Sequence, residues 1–238
     1  MVGLGTIINV ALIVVGGIAG MTGGHLLRER VQDGLMKATA VCVLFVGLAG
    51  AMQQMLSVAG TGLSSGGSMR IFISLATGTL AGELLDLEGA MERFGVWLRN
   101  RTGNSGDAAF VDAFVTTSLT VCIGAMAVVG SIQDGIAGDW STLALKGALD
   151  CVIICVMSAS MGRGCVFSSV PVGLFQGAIT LLARAVEPLM TTAAVASLSM
   201  VGSILIFCVG VNLIWKNTFR VANMLPSLVV AVALAFAV

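Results

Sequence analysis

Apolar residues run through this chain in long blocks, and charged residues punctuate them. Residues 1–24 carry no Lys, Arg, Asp or Glu, and neither does 38–69, whose end (GTGLSSGGS) reads as a Gly/Ser loop. Further charge-free runs cover 71–82, 113–133, 151–162, 164–183, 188–215 and 221–238. A membrane-spanning helix needs about 20 mostly apolar residues. The blocks therefore predict eight spans, at 3–23, 36–56, 70–87, 110–132, 142–161, 165–186, 195–215 and 219–238. The last is the least regular, since Pro226 lies inside it, which leaves a count of seven open. The segment 88–108 is too charged to span. Phe94, Val96, Trp97 and Leu98 beside Arg93, Arg99 and Arg101 predict a short helix at the inner surface, with GNSG as a connector after it.

Lys and Arg set the orientation. With the N-terminus outside, the inner loops hold Arg28, Arg30, Lys37, Arg93, Arg99, Arg101, Arg163, Lys216 and Arg220. The outer ends hold Arg70, Lys146 and Arg184. Nine against three favours this orientation, and an even span count places both termini outside. No positive n-region precedes the first apolar run, so that run is expected to stay as a membrane helix.

The two halves echo each other. ALIVVGGI at 11–18 matches AMAVVGSI at 125–132, and MKATAVCV at 36–43 matches LKGALDCV at 145–152. Gly78-x-x-x-Gly82 matches Gly173-x-x-x-Gly177, each pair followed ten residues later by a glutamate, Glu92 or Glu187. Each copy would hold three spans, an odd number, so the second would sit upside down relative to the first. Inverted repeats of this kind recur in secondary transporters, with the substrate site near the midplane between the copies. The expected organisation is a first repeat with the inner-surface helix over 1–100, an inverted second repeat over 108–190, and a C-terminal helix pair over 191–238. The fold class is thus all-α, a polytopic transmembrane helix bundle with a 3+3 inverted repeat.

Composition agrees. Of the 238 residues, 57% are apolar and 10% charged, with a mean hydropathy of +1.03. Soluble domains carry about 25% charge, so a soluble domain, a disordered chain and a nucleic-acid binder are excluded. The bilayer is the one partner implied. Twelve basic and twelve acidic residues balance and name no other. The six cysteines form no CxxC, and His25 is the single histidine, so no structural zinc or other metal is expected. No cofactor motif is present. GxxxxGK[ST] and HExxH are missing, and no histidine stands near a serine or cysteine, so an enzyme is not expected.

Several phrases resemble one bacterial family throughout the chain. They are GTIIN, VVGGIAG, RERVQDGLMK, AGELLDLEGAMERFGVWL, FVTTSLTVCIGAMAVVGSIQDGIAGDWSTLALKGALD, LFQGAITLLA and VANMLPSL, in that order. The chain resembles the family known as domain of unknown function 554, with YqgA-like and YdfK-like members. The resemblance implies a polytopic protein of the bacterial cytoplasmic membrane and supplies no site residues.

Ionisable groups inside a bilayer are expensive and mark function by default. Asp150 lies about two turns into the fifth span, with Lys146 four residues earlier on the same face. It is the leading candidate for a cation, proton or substrate-amine site, against a plain intrahelical ion pair with a snorkelling lysine. Glu83 lies near the inner end of the third span, as an acidic vestibule or as a helix end facing Arg93 or Arg99. Asn9, Thr116, Thr117, Gln176 and Asn212 interrupt apolar stretches, as path-lining groups or interhelical hydrogen bonds. The two GxxxG pairs read as packing faces. Gly130–Gly138, with Asp134 and then Asp139, reads as an outer loop, an ordinary turn in preference to a cation site. The methionines read as packing.

The first functional expectation is a secondary transporter or facilitator of a small solute, ion- or proton-coupled. The alternative is a non-transporting scaffold or assembly factor, then an ion channel or a lipid-acting enzyme. Two-fold assemblies are the commonest, which makes a homodimer the expected oligomer.

Overall fold

A computed structural model describes residues 2–24, 28–59, 62–104, 106–122, 125–215 and 218–236. His25, Lys216 and the last two residues of the expected final span lie outside the described residues. The described chain is helical apart from one hairpin. In order, it forms α1 (Leu4–Gly24), α2 (Glu29–Met55), β1 (Leu56–Ala59), β2 (Gly62–Ser65), α3 (Ser68–Leu85) and α4 (Leu87–Arg101). Then come α5 (Phe110–Cys122), α6 (Ala125–Ala137), α7 (Ser141–Met161), a 3-10 stretch (Arg163–Ser168), α8 (Ser169–Leu181) and α9 (Ala183–Val186). A second 3-10 turn (Glu187–Leu189) leads to α10 (Thr192–Ile214), α11 (Val221–Met224) and α12 (Pro226–Leu234).

Among the described residues, five helical stretches are long and apolar enough to cross a membrane: Leu4–Gly24, Arg30–Met55, Ser141–Met161, Arg163–Leu181 and Thr192–Ile214. The bent pair α5–α6 makes a sixth if it is one span. Eight were expected, and the shortfall has local causes. The expected span 110–132 is two helices whose axes differ by 63°. The expected span 219–238 is broken between Met224 and Pro226, leaving only short helices. α3 has 18 residues but carries Arg70 and Glu83 at its two ends. The segment expected to lie at the inner surface is helical, as α4, where Phe94 stacks on Trp97 at 5.7 Å.

The helices group into two compact units interleaved along the chain. One contains residues 1–39, 89–122 and 126–186, and the other 40–88, 123–125 and 187–238.

In the first unit, α1 lies along α7 with backbones in direct contact. A Cβ at Gly16, Gly20 or Gly24 would run into the backbone of Cys151, Cys155 or Ala159 respectively. Both series step by four residues and rise together, so the helices are parallel, and small residues allow that approach without any driving force from water. α8 runs antiparallel to α1, pairing Thr6 with Thr180 and Asn9 with Gln176. Beneath these pairs Ile13, Val121, Ile154 and Val172 form a buried apolar cluster, with Val10 and Cys122 packed against it. Gly162, at φ 89°, ends α7 in a conformation that favours glycine.

In the second unit, α3 runs antiparallel to α11 and α12. A Cβ at Gly78 would meet Ser227, and one at Gly82 would meet the Asn223 carbonyl. α2 packs antiparallel on α10, with Gly47 and Gly50 at Ser203 and Gly210 at Leu44. The β1–β2 hairpin, in place of a plain Gly/Ser loop, pairs Leu56 with Ser65.

Candidate functional site

Of the described charged side chains in the first unit, three are buried: Asp134, Lys146 and Asp150. Lys146 donates to Asp150 Oδ2 at 2.5 Å, one turn along α7. The same ammonium donates to the Val121 carbonyl at 2.7 Å. Val121 sits at the C-terminal end of α5, where carbonyls have no intrahelical partner and the helix carries partial negative charge. The chain then bends into α6. Lys146 therefore binds one full and one partial negative charge at a helix break. On α2, Lys37 pairs with Asp33, four residues earlier, at 2.7 Å, but with both side chains more than 60% exposed. The burial, not the spacing, sets the α7 pair apart.

Gly147, between the two charges, lets α1 approach. A Cβ there would lie 3.0 Å from Asn9 Cα and 3.3 Å from Asn9 Oδ1. On its other side, Asn9 Nδ2 donates to Gln176 Oε1 at 3.2 Å. Both amides are buried, and Asn9 Oδ1 and Gln176 Nε2 find no partner. Exchanging oxygen and nitrogen on both residues leaves the same result, since one amide–amide bond leaves each side chain one unused group.

One turn along, the Thr6 and Thr180 hydroxyl oxygens lie 3.5 Å apart. Beyond them, Gly5 N donates to Asp134 Oδ2 at 3.0 Å. A polar seam thus runs along α1 from the Lys146–Asp150 pair through Asn9–Gln176 and Thr6–Thr180 to Asp134.

Among the residues singled out from sequence, Asp150, Lys146, Asn9 and Gln176 come together here. Glu83 and Asn212 belong to the second unit. Glu83 pairs with Arg220 at 3.2 Å, not with Arg93 or Arg99. Asn212 closes a turn, accepting from Phe219 N at 2.9 Å and donating to Phe219 O at 2.7 Å. Thr117 bonds back to the Ala113 carbonyl of its own helix. Of the second GxxxG pair, Gly173 touches only the Val10 side chain and Gly177 faces open space, so the close packing is confined to Gly78 and Gly82.

Gly130–Ala137 is helix, not loop, and Asp134 is fully buried on it. Glycine is frequent in membrane helices, so GSIQDGIAG imitates a turn. Thr6 and Thr180 were also missed, although they stand three residues from Asn9 and four from Gln176, on the same helix faces. Asp139 does lie outside the helices. Its carboxylate accepts from the Ser141 hydroxyl at 2.6 Å and the Ser141 amide at 3.0 Å. These two bonds hold its carboxyl below the ordinary value.

Comparison with known proteins relates the sequence of the chain to a family. A family profile described as "Protein of unknown function (DUF554)" matches residues 4–236. The chain is 27% identical over 234 residues to "Uncharacterized membrane protein YdfK" of Bacillus subtilis (strain 168), covering 98% of this chain and 96% of that protein. It is 25% identical over 238 residues to "Uncharacterized protein YqgA" of Escherichia coli (strain K12), covering 98% and 97%. No solved structure matches it.

Proposed function

We propose that this chain, which belongs to the DUF554 family, is a secondary transporter or facilitator for a small polar or charged solute. The observation that carries the reading is the Lys146 ammonium, buried between Asp150 and the Val121 carbonyl where α5 breaks from α6. In transporters, broken helices present unpaired backbone groups to the cargo or coupling ion near the membrane midplane. Here those groups meet a resident ion pair and two amides, each with an unused hydrogen-bonding atom. A solute with both donor and acceptor groups fits that set, and a charged one competes with Lys146 or Asp150 for its partner.

The proposed membrane is the bacterial cytoplasmic membrane, crossed eight times, by two inverted three-span repeats and a C-terminal pair, with both termini outside. The sequence echo and the Lys/Arg distribution support this. So do the helix directions. In an eight-span path the first and fifth spans run the same way, and α1 and α7 are parallel. Pairs of opposite parity should be antiparallel, as are α1–α8, α3–α12 and α2–α10. The broken segments α5–α6 and α11–α12 would be the fourth and eighth crossings.

The test is a screen of amino acids, organic acids and inorganic cations for thermal stabilisation of the purified protein. A ligand at 100 times its dissociation constant stabilises by about 2.7 kcal/mol. A specific solute should act on the wild type and fail on Asp150→Asn. An organic solute that stabilises both equally contradicts the site, and a panel with no effect contradicts the transport reading.

A further inference from the structure

The far end of the polar seam has a composition of its own. Asp134 is 0% exposed. Its Oδ2 accepts from Gly5 N, and its Oδ1 has no partner. Lys146 and Asp150 neutralise each other, so among the described residues the buried charged side chains of this unit formally sum to one negative charge. An ionised carboxylate with an unused buried oxygen is costly, and it is normally paired or coordinates a metal.

We propose that Asp134 and the Thr6 and Thr180 hydroxyls form a binding site for one monovalent cation of sodium's size. The proposal rests on the transport reading and supplies its coupling ion. The oxygen chemistry agrees. Gly135 brings α6 against the end of α8, where a Cβ would strike the Thr180 carbonyl. That carbonyl is near the α8 C-terminus, the negative end of the helix dipole. Hard cations of this size hold oxygens at about 2.3–2.6 Å, which puts neighbouring ligands about 3.3–3.7 Å apart at right angles. The Thr6 and Thr180 oxygens are 3.5 Å apart, long for a hydroxyl–hydroxyl hydrogen bond and suited to two ligands of one ion. The positive N-terminus of α1 opposes a cation, but Asp134 Oδ2 already caps it. A divalent ion fits less well. Among the described residues no three His, Cys, Asp or Glu side chains converge, and one net negative charge matches one positive.

The experiment measures the melting temperature of the purified full-length protein at fixed pH. Sodium chloride is compared with potassium chloride and choline chloride at equal ionic strength. Sodium should stabilise saturably and choline should not. Asp134→Asn should abolish the sodium effect, and Asp150→Asn should retain it. Thr180→Val removes one oxygen at nearly constant shape and should raise the sodium midpoint by about tenfold or more. It serves as the reporter if Asp134→Asn does not fold. Equal melting in sodium and choline overturns the proposal, as does a sodium effect that survives Asp134→Asn or an unchanged midpoint in Thr180→Val. A sodium effect lost only in Asp150→Asn moves the cation to the ion pair, overturning this site while leaving the transport reading intact.

Discussion

Asn9 and Gln176 face each other across α1 and α8, joined by one hydrogen bond of 3.2 Å, and each keeps a buried amide group with no partner. A pair that served only to join helices would be under-used. Polar contacts in membrane proteins couple by about 0.6 kcal/mol on average, up to about 1.7. A double-mutant cycle with Asn9→Leu and Gln176→Leu, followed by unfolding in detergent, should give a coupling in that range. The double variant should fold but lose solute-dependent stabilisation.

The glycines of α1 divide by what faces them. Gly20 has no room for a methyl group, since a Cβ would meet the Cys155 carbonyl and lie 2.8 Å from Ser158 Cβ. Gly23 and Gly177 have nothing within 4 Å. Gly20→Ala should destabilise by about 1–3 kcal/mol through overpacking. Gly23→Ala and Gly177→Ala should be neutral or stabilise by up to about 1 kcal/mol. Melting temperatures of the three variants check the contrast.

In the second unit, Asn223 and Glu88 cap each other's helices. Glu88 N donates to Asn223 Oδ1 at 2.7 Å, and Ala222 N donates to Glu88 Oε2 at 3.2 Å. Asn223→Ala strips the first turn of α4 of its acceptor and should destabilise by about 1–2 kcal/mol. Glu88→Gln keeps an acceptor oxygen and should lose less. Unfolding of both variants against the wild type measures the difference.

Asp139 gives a pH dependence of known sign. The Ser141 bonds depress its folded-state pKa below the ordinary 3.8. Its contribution is therefore present above that value and is lost as the pH falls through the lower folded one. The stability gap between wild type and Asp139→Ala should be constant at neutral pH and close below about pH 4. A gap unchanged by acid would mean that the carboxylate does not cap α7.

Much of the helical layout is legible in the sequence, because spans announce themselves by length and lack of charge. The first span, expected at 3–23, is Leu4–Gly24; the fifth, expected at 142–161, is Ser141–Met161. Breaks are less legible. The Val121 carbonyl at the end of α5 accepts from Lys146, a residue 25 positions away, which hydropathy does not register. The Lys146–Asp150 pair is evident from its four-residue spacing, yet the identical spacing of Asp33 and Lys37 is exposed. Only tertiary packing separates the two. Asp134 was hidden for the opposite reason, since neighbouring glycines lend a buried helix the look of a surface turn.

The central claim is that the Lys146–Asp150 pair binds cargo and is not merely helix glue. Removing one partner strands a buried charge, which costs about 3–5 kcal/mol, whereas replacing both by apolar residues is often neutral. The deciding measurement is thermal stabilisation of the double variant Lys146→Leu with Asp150→Leu by the panel of amino acids and organic acids at fixed sodium, beside the wild type. A double variant that is folded and monodisperse but no longer responds to the solute that stabilises the wild type is the predicted result. A double variant that keeps the full response would contradict the account and leave the pair a structural element of a non-transporting scaffold.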